Sequence, residues 1–284
     1  MTGKLKKNLT SIIMTTPTLV WMLLFLLAPL VIVVGISFLS KTPYGGVSMP
    51  FTVEAYASML NRDYAKIFAK SIWLSIETTV VCLLLGYPLA AIIASSSKKV
   101  KPWLILLIML PFWINSMIRL YGWMTMLRTE GIINKMLLGI GIINKPLNML
   151  YTDGAVLLGM VYELLPFAVL PLYTSIEKVD QSLIEAAEDL GAKKHKVFFR
   201  VVLPLTMPGV FAGSIQTFIP ALGLFYVSDM LGGGSSMYVG NLIKNQFLSA
   251  RNWPLGAALS ILLILITIVL MRLYTRVGNL DDIA

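Results

Sequence analysis

Histidine, cysteine and charged residues are all scarce in this sequence. Its 284 residues include one histidine and one cysteine, and 13% are Asp, Glu, Lys or Arg, which is about half the share typical of soluble domains. The single Cys82 excludes a disulfide framework, and neither residue stands at a metal-ligand spacing. A lone His195 without a serine or carboxylate partner also disfavours a catalytic constellation. The sequence therefore indicates neither an enzyme active site nor a metal centre.

A phosphate-binding loop is also missing. Such a loop needs a glycine, four further residues and then Gly-Lys-Ser or Gly-Lys-Thr between a strand and a helix. The glycine-rich stretch Gly232–Ser236 has no lysine, and we interpret it as an external loop at the end of the fifth apolar segment. We therefore expect no cofactor in this chain.

Hydrophobic residues make up 57% of the chain and form runs long enough to span a membrane. About 20 apolar residues cross the hydrocarbon core as a helix. The sequence therefore predicts an all-α integral membrane protein with six transmembrane helices in a single domain, residues 17–276, between cytoplasmic ends 1–16 and 277–284. The predicted helices are Pro17–Phe38, Ser71–Ser95, Trp103–Leu127, Ala155–Ser175, Leu205–Leu231 and Pro254–Leu273.

The basic residues predict how the chain is inserted. The formal net charge is +9, but the basic residues flank apolar segments instead of clustering with aromatic residues on one polar face, so nucleic acid is not expected as a partner. By the predicted topology, 13 basic residues lie on the side of both termini and nine on the other side, over longer loops. The positive-inside rule then places both termini in the cytoplasm.

One polar stretch, Glu177–Pro204, interrupts the apolar protein, and we call it the elbow. Ten of its first 24 residues are charged, and each would cost about 2.5 to 3.5 kcal/mol at the centre of a membrane helix. Ser182 and Glu185 match a capping box, which predicts the start of a short helix, and Gly191 is placed to end it. A second short helix from Lys193 should end before Pro204, where the chain turns back to the membrane.

The elbow resembles the EAA motif of ABC importer permeases. The matching residues are Glu185, Ala186, Ala187, Gly191, Leu203 and Pro204, whereas Val201 stands where the family usually has isoleucine. The resemblance implies that these residues dock in a groove of a separate ATPase subunit. The chemistry fits docking, since the two alanines leave no bulk at a contact and the Glu185 carboxylate accepts hydrogen bonds.

Four ionisable residues fall inside predicted spans, where a charge is costly and usually marks a partner or a watery cavity. They are Glu77, Arg119, Glu163 and Asp229. Acids beside aromatic faces suit an organic cation, so we predict a substrate pathway that includes Glu163 and Asp229 with Trp113, Asn115, Tyr121, Tyr162, Phe225 and Tyr226. The alternative is that Arg119 and Glu163 form a structural pair and that Tyr and Trp form the usual interfacial belt.

Three further runs resemble the B-type permeases of spermidine/putrescine ABC importers: Leu110–Tyr121, Leu164–Tyr173 and Gly223–Asp229. The similarity extends over nearly the whole chain. It implies a multi-pass protein of the inner membrane that forms half of a pore with a second, related permease. It also implies two ATPase subunits below the pore, which bind ATP and Mg²⁺, and an extracytoplasmic polyamine-binding protein that delivers the substrate.

Two other functions remain open at this point. An ABC permease for another solute, such as sulfate, thiamine or ferric ion, would share the elbow. A secondary transporter driven by an ion gradient would show inverted repeats with discontinuous helices at the midplane, and no convincing repeat is visible in the sequence.

Overall fold

The computed structural model describes residues 15–234 and 236–277. The predicted cytoplasmic ends, except for residues 15, 16 and 277, lie outside these described residues. Among the described residues, one compact unit comprises 15–62 and 243–265, and a second comprises 63–242 and 266–277.

The described chain is mostly helical. The all-α prediction is confirmed apart from a short two-stranded hairpin. In chain order the elements are α1 (Thr15–Ser37), β1 (Leu39–Lys41), β2 (Val47–Phe51), α2 (Glu54–Met59), α3 (Arg62–Ser95), α4 (Lys101–Met109), α5 (Ser116–Leu127), α6 (Ile132–Gly139), α7 (Asp153–Glu177), α8 (Gln181–Asp189), α9 (Lys194–Leu205), α10 (Met207–Gly223), α11 (Phe225–Gly232), α12 (Val239–Leu248) and α13 (Trp253–Val277).

The first unit combines α1 with the hairpin. None of the most apolar 18-residue stretch of α1 is buried in this chain. Strands β1 and β2 pair antiparallel, with Ser40 opposite Ser48. Gly45 has a φ of +89°, and a Cβ there would lie 2.5 Å from the Cβ of Arg251, so only glycine fits this turn.

Helix α7 lies at the centre of the second unit. Helix α10 packs along it so closely that a Cβ on Gly213 would lie 3.1 Å from the carbonyl oxygen of Ala168. Helices α5 and α11 pack against the first half of α7 through a cluster that includes Leu120, Met160 and Leu231, all of them buried. Three helices thus cover α7, and Glu163 on it is buried.

The candidate membrane spans agree with the predicted number when bent helices are counted as single spans. Four helices, α1, α3, α7 and α13, are long and apolar enough to cross a membrane unbroken. Two further spans are bent pairs, Lys101–Trp113 with Ser116–Gly139 at 89° and Lys194–Leu205 with Met207–Gly223 at 65°. Counting each pair once gives six spans.

The bends have local causes that the sequence prediction missed. The predicted helix Trp103–Leu127 is two helices, because a 3₁₀ turn at Leu110–Trp113 ends in an extended Ile114. The side chain of Asn115 then accepts a hydrogen bond from the N–H of Met117 at 2.9 Å and starts α5, as N-cap residues do.

The fifth predicted helix, Leu205–Leu231, is also divided. It bends at Thr206 and breaks again at Leu224, whose ψ of 78° is not helical. The second break follows Pro220 by one turn. Helix α11 can therefore take a direction of its own against α7.

The close contact between α7 and α10 gives a testable expectation for stability. A Cβ on Gly209 would lie 2.4 Å from the Cβ of Ser175 and 2.8 Å from the carbonyl oxygen of Pro171. Because a backbone atom cannot move aside cheaply, Gly209→Ala should lower the free energy of unfolding by about 1 to 3 kcal/mol. Thermal unfolding of the purified protein in detergent measures the change.

Gly122 on α5 is the matched control for that substitution. A Cβ there would meet no atom within 4 Å, so Gly122→Ala should leave stability unchanged or raise it by the helix propensity of alanine. An unfolding temperature for Gly209→Ala equal to or above that of Gly122→Ala would contradict the packing described here.

Candidate coupling elbow and polar pathway

Helix α7 connects the two regions that the sequence singled out. Its 25 residues give a length of about 37 Å at 1.5 Å per residue. Glu163 lies nearer to the Asp153 end. The other end leads into the elbow, where the Glu177 carboxylate pairs with the Lys101 ammonium at 2.7 Å.

The N-cap of the first elbow helix, α8, lies two residues earlier than predicted. It is Asp180, whose carboxylate accepts a hydrogen bond from the N–H of Ser182 at 2.9 Å. The predicted cap at Ser182 is therefore wrong, because the Asp180 carboxylate already accepts from a free N–H group of the first turn. Hydrogen bonds from Ser182, chiefly from its backbone, hold the pKa of the Asp180 carboxyl below its usual range.

The predicted end of α8 at Gly191 is confirmed. Gly191 has a φ of +80°, the left-handed conformation that favours glycine. Its N–H donates to the carbonyl of Glu188 at 2.8 Å, and the N–H of Ala192 donates to the carbonyl of Ala187 at 3.1 Å. This pair of bonds is a Schellman motif, and it satisfies carbonyls at the helix end.

Helix α8 has no buried residue. Glu185 and Ala186 are exposed and Ala187 is half-buried. The apolar Leu190, just after the helix, is 89% exposed. An isolated short helix is marginal in water, so an exposed one with apolar side chains is typical of a docking surface.

The second elbow helix, α9, continues past the predicted turn. Phe198–Val202 form a π-helical segment, and Leu203 and Pro204 lie in the last helical turn, half-buried and exposed respectively. The chain turns at Thr206 instead of before Pro204. In this wider π turn, the backbone carbonyl one turn before Pro204 lies farther from the proline ring. The steric clash that usually ends a helix before a proline is therefore relieved.

Two of the ionisable residues inside the predicted spans, Arg119 and Glu163, form a buried ion pair. Arg119 Nη2 on α5 lies 2.7 Å from Glu163 Oε2 on α7, and the two side chains are 5% and 4% exposed. Arg119 Nη2 also donates to the hydroxyl of Ser116 at 3.1 Å. The guanidinium lies 5.3 Å from the ring centre of Phe112 and 5.4 Å from that of Tyr162, which is within range of a cation–π contact.

The ion pair has buried nitrogen and oxygen atoms that make no hydrogen bond in the described structure. Among the described residues, Arg119 Nε, Arg119 Nη1 and Glu163 Oε1 are buried with no hydrogen-bond partner. Buried polar groups are normally paired, and each unpaired one costs about 1 to 3 kcal/mol. A polar molecule that reached this point would therefore find two donors and one acceptor.

The structure brings two further predicted pathway residues, Tyr162 and Tyr226, to the ion pair. Tyr162 touches it through its ring, which also meets the ring of Trp123 edge-on at 5.5 Å. The side chain of Tyr226 on α11 lies beside Ser116 and within electrostatic range of Arg119 and Glu163. Three helices thus contribute to one site.

Other predicted residues lie apart from it. The side chains of Trp113 and Tyr121 are exposed, at 76% and 60%, and Asn115 is the exposed cap of α5. Helix α11 starts at Phe225, which is 39% exposed.

Asp229 belongs to a different hydrogen-bond network. Its carboxylate accepts from Asn241 Nδ2, which also donates to the carbonyl of Phe225 at 3.1 Å. Asn241 Oδ1 in turn accepts from the Ser228 hydroxyl at 2.6 Å. Sequence reasoning missed Asn241 and Ser116, since a lone amide or hydroxyl carries no signal of its partner.

No His, Cys, Asp or Glu cluster of metal-binding size occurs in the described parts of the chain. Cys82 is buried within α3, and its thiol donates to the carbonyl of Val161 at 3.7 Å.

Comparison with known proteins gives the family. Residues 83–279 match the family of the binding-protein-dependent transport system inner membrane component. The spermidine/putrescine transport system permease protein PotB of Escherichia coli K12 is 45% identical over 260 residues, which cover 92% of this chain and 94% of that protein. PotB of Haemophilus influenzae is also 45% identical, covering 92% of this chain and 91% of that protein.

Solved structures share the fold. A chain of a bacterial ABC transporter involved in the import of the acidic polysaccharide alginate superposes with a TM-score of 0.75 at 18% identity, covering 97% of each chain. An amino acid ABC transporter gives a TM-score of 0.52 over 82% of this chain and 99% of that one. From its sequence match and its fold together, this chain belongs to the family of binding-protein-dependent transport system inner membrane components, the permease subunits of ABC importers.

Proposed function

We propose that this chain is a transmembrane permease subunit of an ATP-driven importer of polyamines such as spermidine and putrescine. The observation that carries the substrate class is the 45% identity to PotB permeases along 92% of the chain. In this proposal the elbow and both termini face the cytoplasm of the cell, and the Asp153 end of α7 faces outward.

The elbow is the coupling element to a separate ATPase. Its exposed features support this role, since α8 buries none of its residues and presents two alanines beside the Glu185 carboxylate. The exposed Leu190 supplies apolar area for a partner. The proposed docking surface also includes Gly191, Leu203 and Pro204.

Two ATPase subunits, with their ATP and Mg²⁺, supply the energy, as the resemblance of the elbow to the EAA motif implies. The sequence of this chain has no phosphate-binding loop of its own. A second, related permease completes the pore. A polyamine-binding protein on the outer side delivers the substrate. The family description refers to a binding protein, and the alginate transporter was solved with its periplasmic protein.

Within the pore, we assign the ammonium groups of the substrate to a path past Glu163. The free Glu163 Oε1 is a buried acceptor for an N–H donor, and the ring of Tyr162 already accommodates a cation. Since Arg119 neutralises the carboxylate at rest, substrate binding requires that Arg119 shifts along the Phe112 and Tyr162 rings.

The remaining pathway residues complete a pore formed between two permeases. Trp113 and Tyr121 are exposed in this chain alone, so a second permease would enclose them. They line the pore together with Asn115, Tyr226, Phe225 and Asp229.

The transport cycle follows from these parts. Binding of ATP closes the ATPase subunits and moves the elbow, which is joined directly to α7 and, through the bend at Thr206, to α10. The two helices then switch the pore from inward-facing to outward-facing, and hydrolysis resets it.

Uptake by the assembled complex in proteoliposomes tests the substrate class. With binding protein outside and ATP inside, spermidine or putrescine should accumulate and sulfate should not, because the buried acid and aromatic faces suit a cation. Uptake should survive ionophores that dissipate ion gradients.

Two results would contradict this proposal in different ways. Accumulation of sulfate in place of polyamines would support a permease function but exclude polyamines as the substrate. Polyamine uptake that stops with an ionophore and continues without ATP would indicate a secondary transporter.

Substitutions at Gly191 test the coupling role of the elbow. A Cβ there meets no atom within 4 Å, so any effect of a substitution comes from the φ of +80°. Gly191→Val should lose most polyamine uptake, because a β-branched residue is strained in the left-handed region by about 1 to 2 kcal/mol. Gly191→Asn is the matched control, since asparagine tolerates this conformation.

The readouts are uptake and the amount of ATPase that co-purifies with the chain. The valine variant should insert in the membrane and bind less ATPase, whereas the asparagine variant should behave like the unaltered chain. Full uptake by Gly191→Val would contradict the proposal that the turn at Gly191 is needed for coupling to the ATPase.

A further inference from the structure

A second cluster of polar groups lies at the Asp153 end of α7. It consists of Asp153, Lys70 on α3, and Ser236 and Tyr238 from the segment before α12, and we call it the outer cage. Lys70 Nζ lies 3.0 Å from Asp153 Oδ1 and 3.5 Å from Ser236 Oγ. The same ammonium lies 5.0 Å from the centre of the Tyr238 ring.

Three of these groups are fixed by the fold. Ser236 and Tyr238 are buried, and both hydroxyls donate to Asp153 Oδ1, that of Tyr238 at 2.9 Å. The next residue, Val239, donates its N–H to the Ser71 hydroxyl at 2.8 Å, which anchors the segment to α3. Asp153, Ser236 and Tyr238 are therefore held in place by hydrogen bonds that do not involve Lys70.

The groups around the Lys70 ammonium are those that recognise any alkylammonium ion. A carboxylate supplies charge-assisted hydrogen bonding, a hydroxyl oxygen accepts a further bond, and an aromatic face attracts the cation. The half-buried Glu77 on α3 adds negative charge near Tyr238. Lysine side chains and polyamines end in the same primary ammonium group.

Lys70 is held loosely in comparison with Arg119. The side chains of Lys70 and Asp153 are 40% and 60% exposed, and an exposed ion pair contributes little net stability. The buried Arg119–Glu163 pair is costly to open, because each charge would be left without a partner. An incoming ammonium ion can thus replace Lys70 far more easily than Arg119.

We propose that the outer cage is an entry subsite for a terminal ammonium group of the substrate, and that Lys70 occupies it when substrate is absent. The proposal rests on the proposed function for the polyamine and for the outward direction of Asp153. Asp153 and Glu163 are ten residues apart on α7, or about 15 Å along its axis. A polyamine can therefore meet the exposed carboxylate first and the buried one next.

Nuclear magnetic resonance of lysine ammonium groups tests this directly. The assembled complex in lipid nanodiscs is reductively methylated with ¹³C, which keeps the charge of each lysine, and the Lys70 signal is assigned by its loss in Lys70→Arg. Spermidine should shift the Lys70 signal in a saturable way. It should do so at about one tenth of the ionic strength that sodium chloride needs for the same shift. Sodium acts by screening, whereas an ammonium ion also donates charge-assisted hydrogen bonds.

Asp153→Asn serves as the site variant and the exposed Lys145 as the internal reference. In the variant the Lys70 signal should start near the position of Lys145 and should not respond to spermidine. A Lys70 signal that spermidine leaves unmoved in the unaltered complex, or moves only as far as sodium chloride at equal ionic strength, overturns the subsite. Because no ATP or binding protein is present, this result is independent of the uptake experiment that tests the proposed function.

Discussion

The buried ion pair between Arg119 and Glu163 is the constraint on which the rest of the site depends. Two charges that are 5% and 4% exposed in an apolar helical bundle must stay together, because removing one partner costs about 3 to 5 kcal/mol. The pair thereby fixes α5 against α7 at the point where α5 begins after its bend. The rings of Phe112 and Tyr162 are positioned around the guanidinium as a consequence.

Helix α7 then relates this pair to the other functional regions. It carries Asp153 at one end, Glu163 inside and Glu177 at the elbow. The close approaches of Gly209 and Gly213 hold α10 against α7. In the proposed function, a displacement of the elbow would therefore act on both helices together.

The sequence predicted the features that depend on local chemistry or on simple polarity. Long apolar runs gave the spans, and Gly191 gave the left-handed end of α8, because few other residues adopt that conformation. The pairing of Arg119 with Glu163 was one of two alternatives, and the structure shows that pair together with aromatic neighbours. Features that depend on competition between neighbours were missed, such as Asp180 in place of Ser182 as the cap. Tertiary partners such as Asn241 for Asp229 were missed as well, since they lie on different helices.

In the proposed function, Glu163 both holds the bundle together and presents its carboxylate to a cationic substrate. The most direct measurement is polyamine uptake by the charge-swapped double variant, Arg119→Glu with Glu163→Arg, beside each single variant. Like charges at this buried position should prevent each single variant from assembling with the partner subunits, and the swap should restore assembly. The swapped complex should assemble and transport little polyamine, because the carboxylate has moved from α7 to α5. Normal uptake by the swapped complex would contradict a substrate contact at Glu163 and leave the pair a purely structural role.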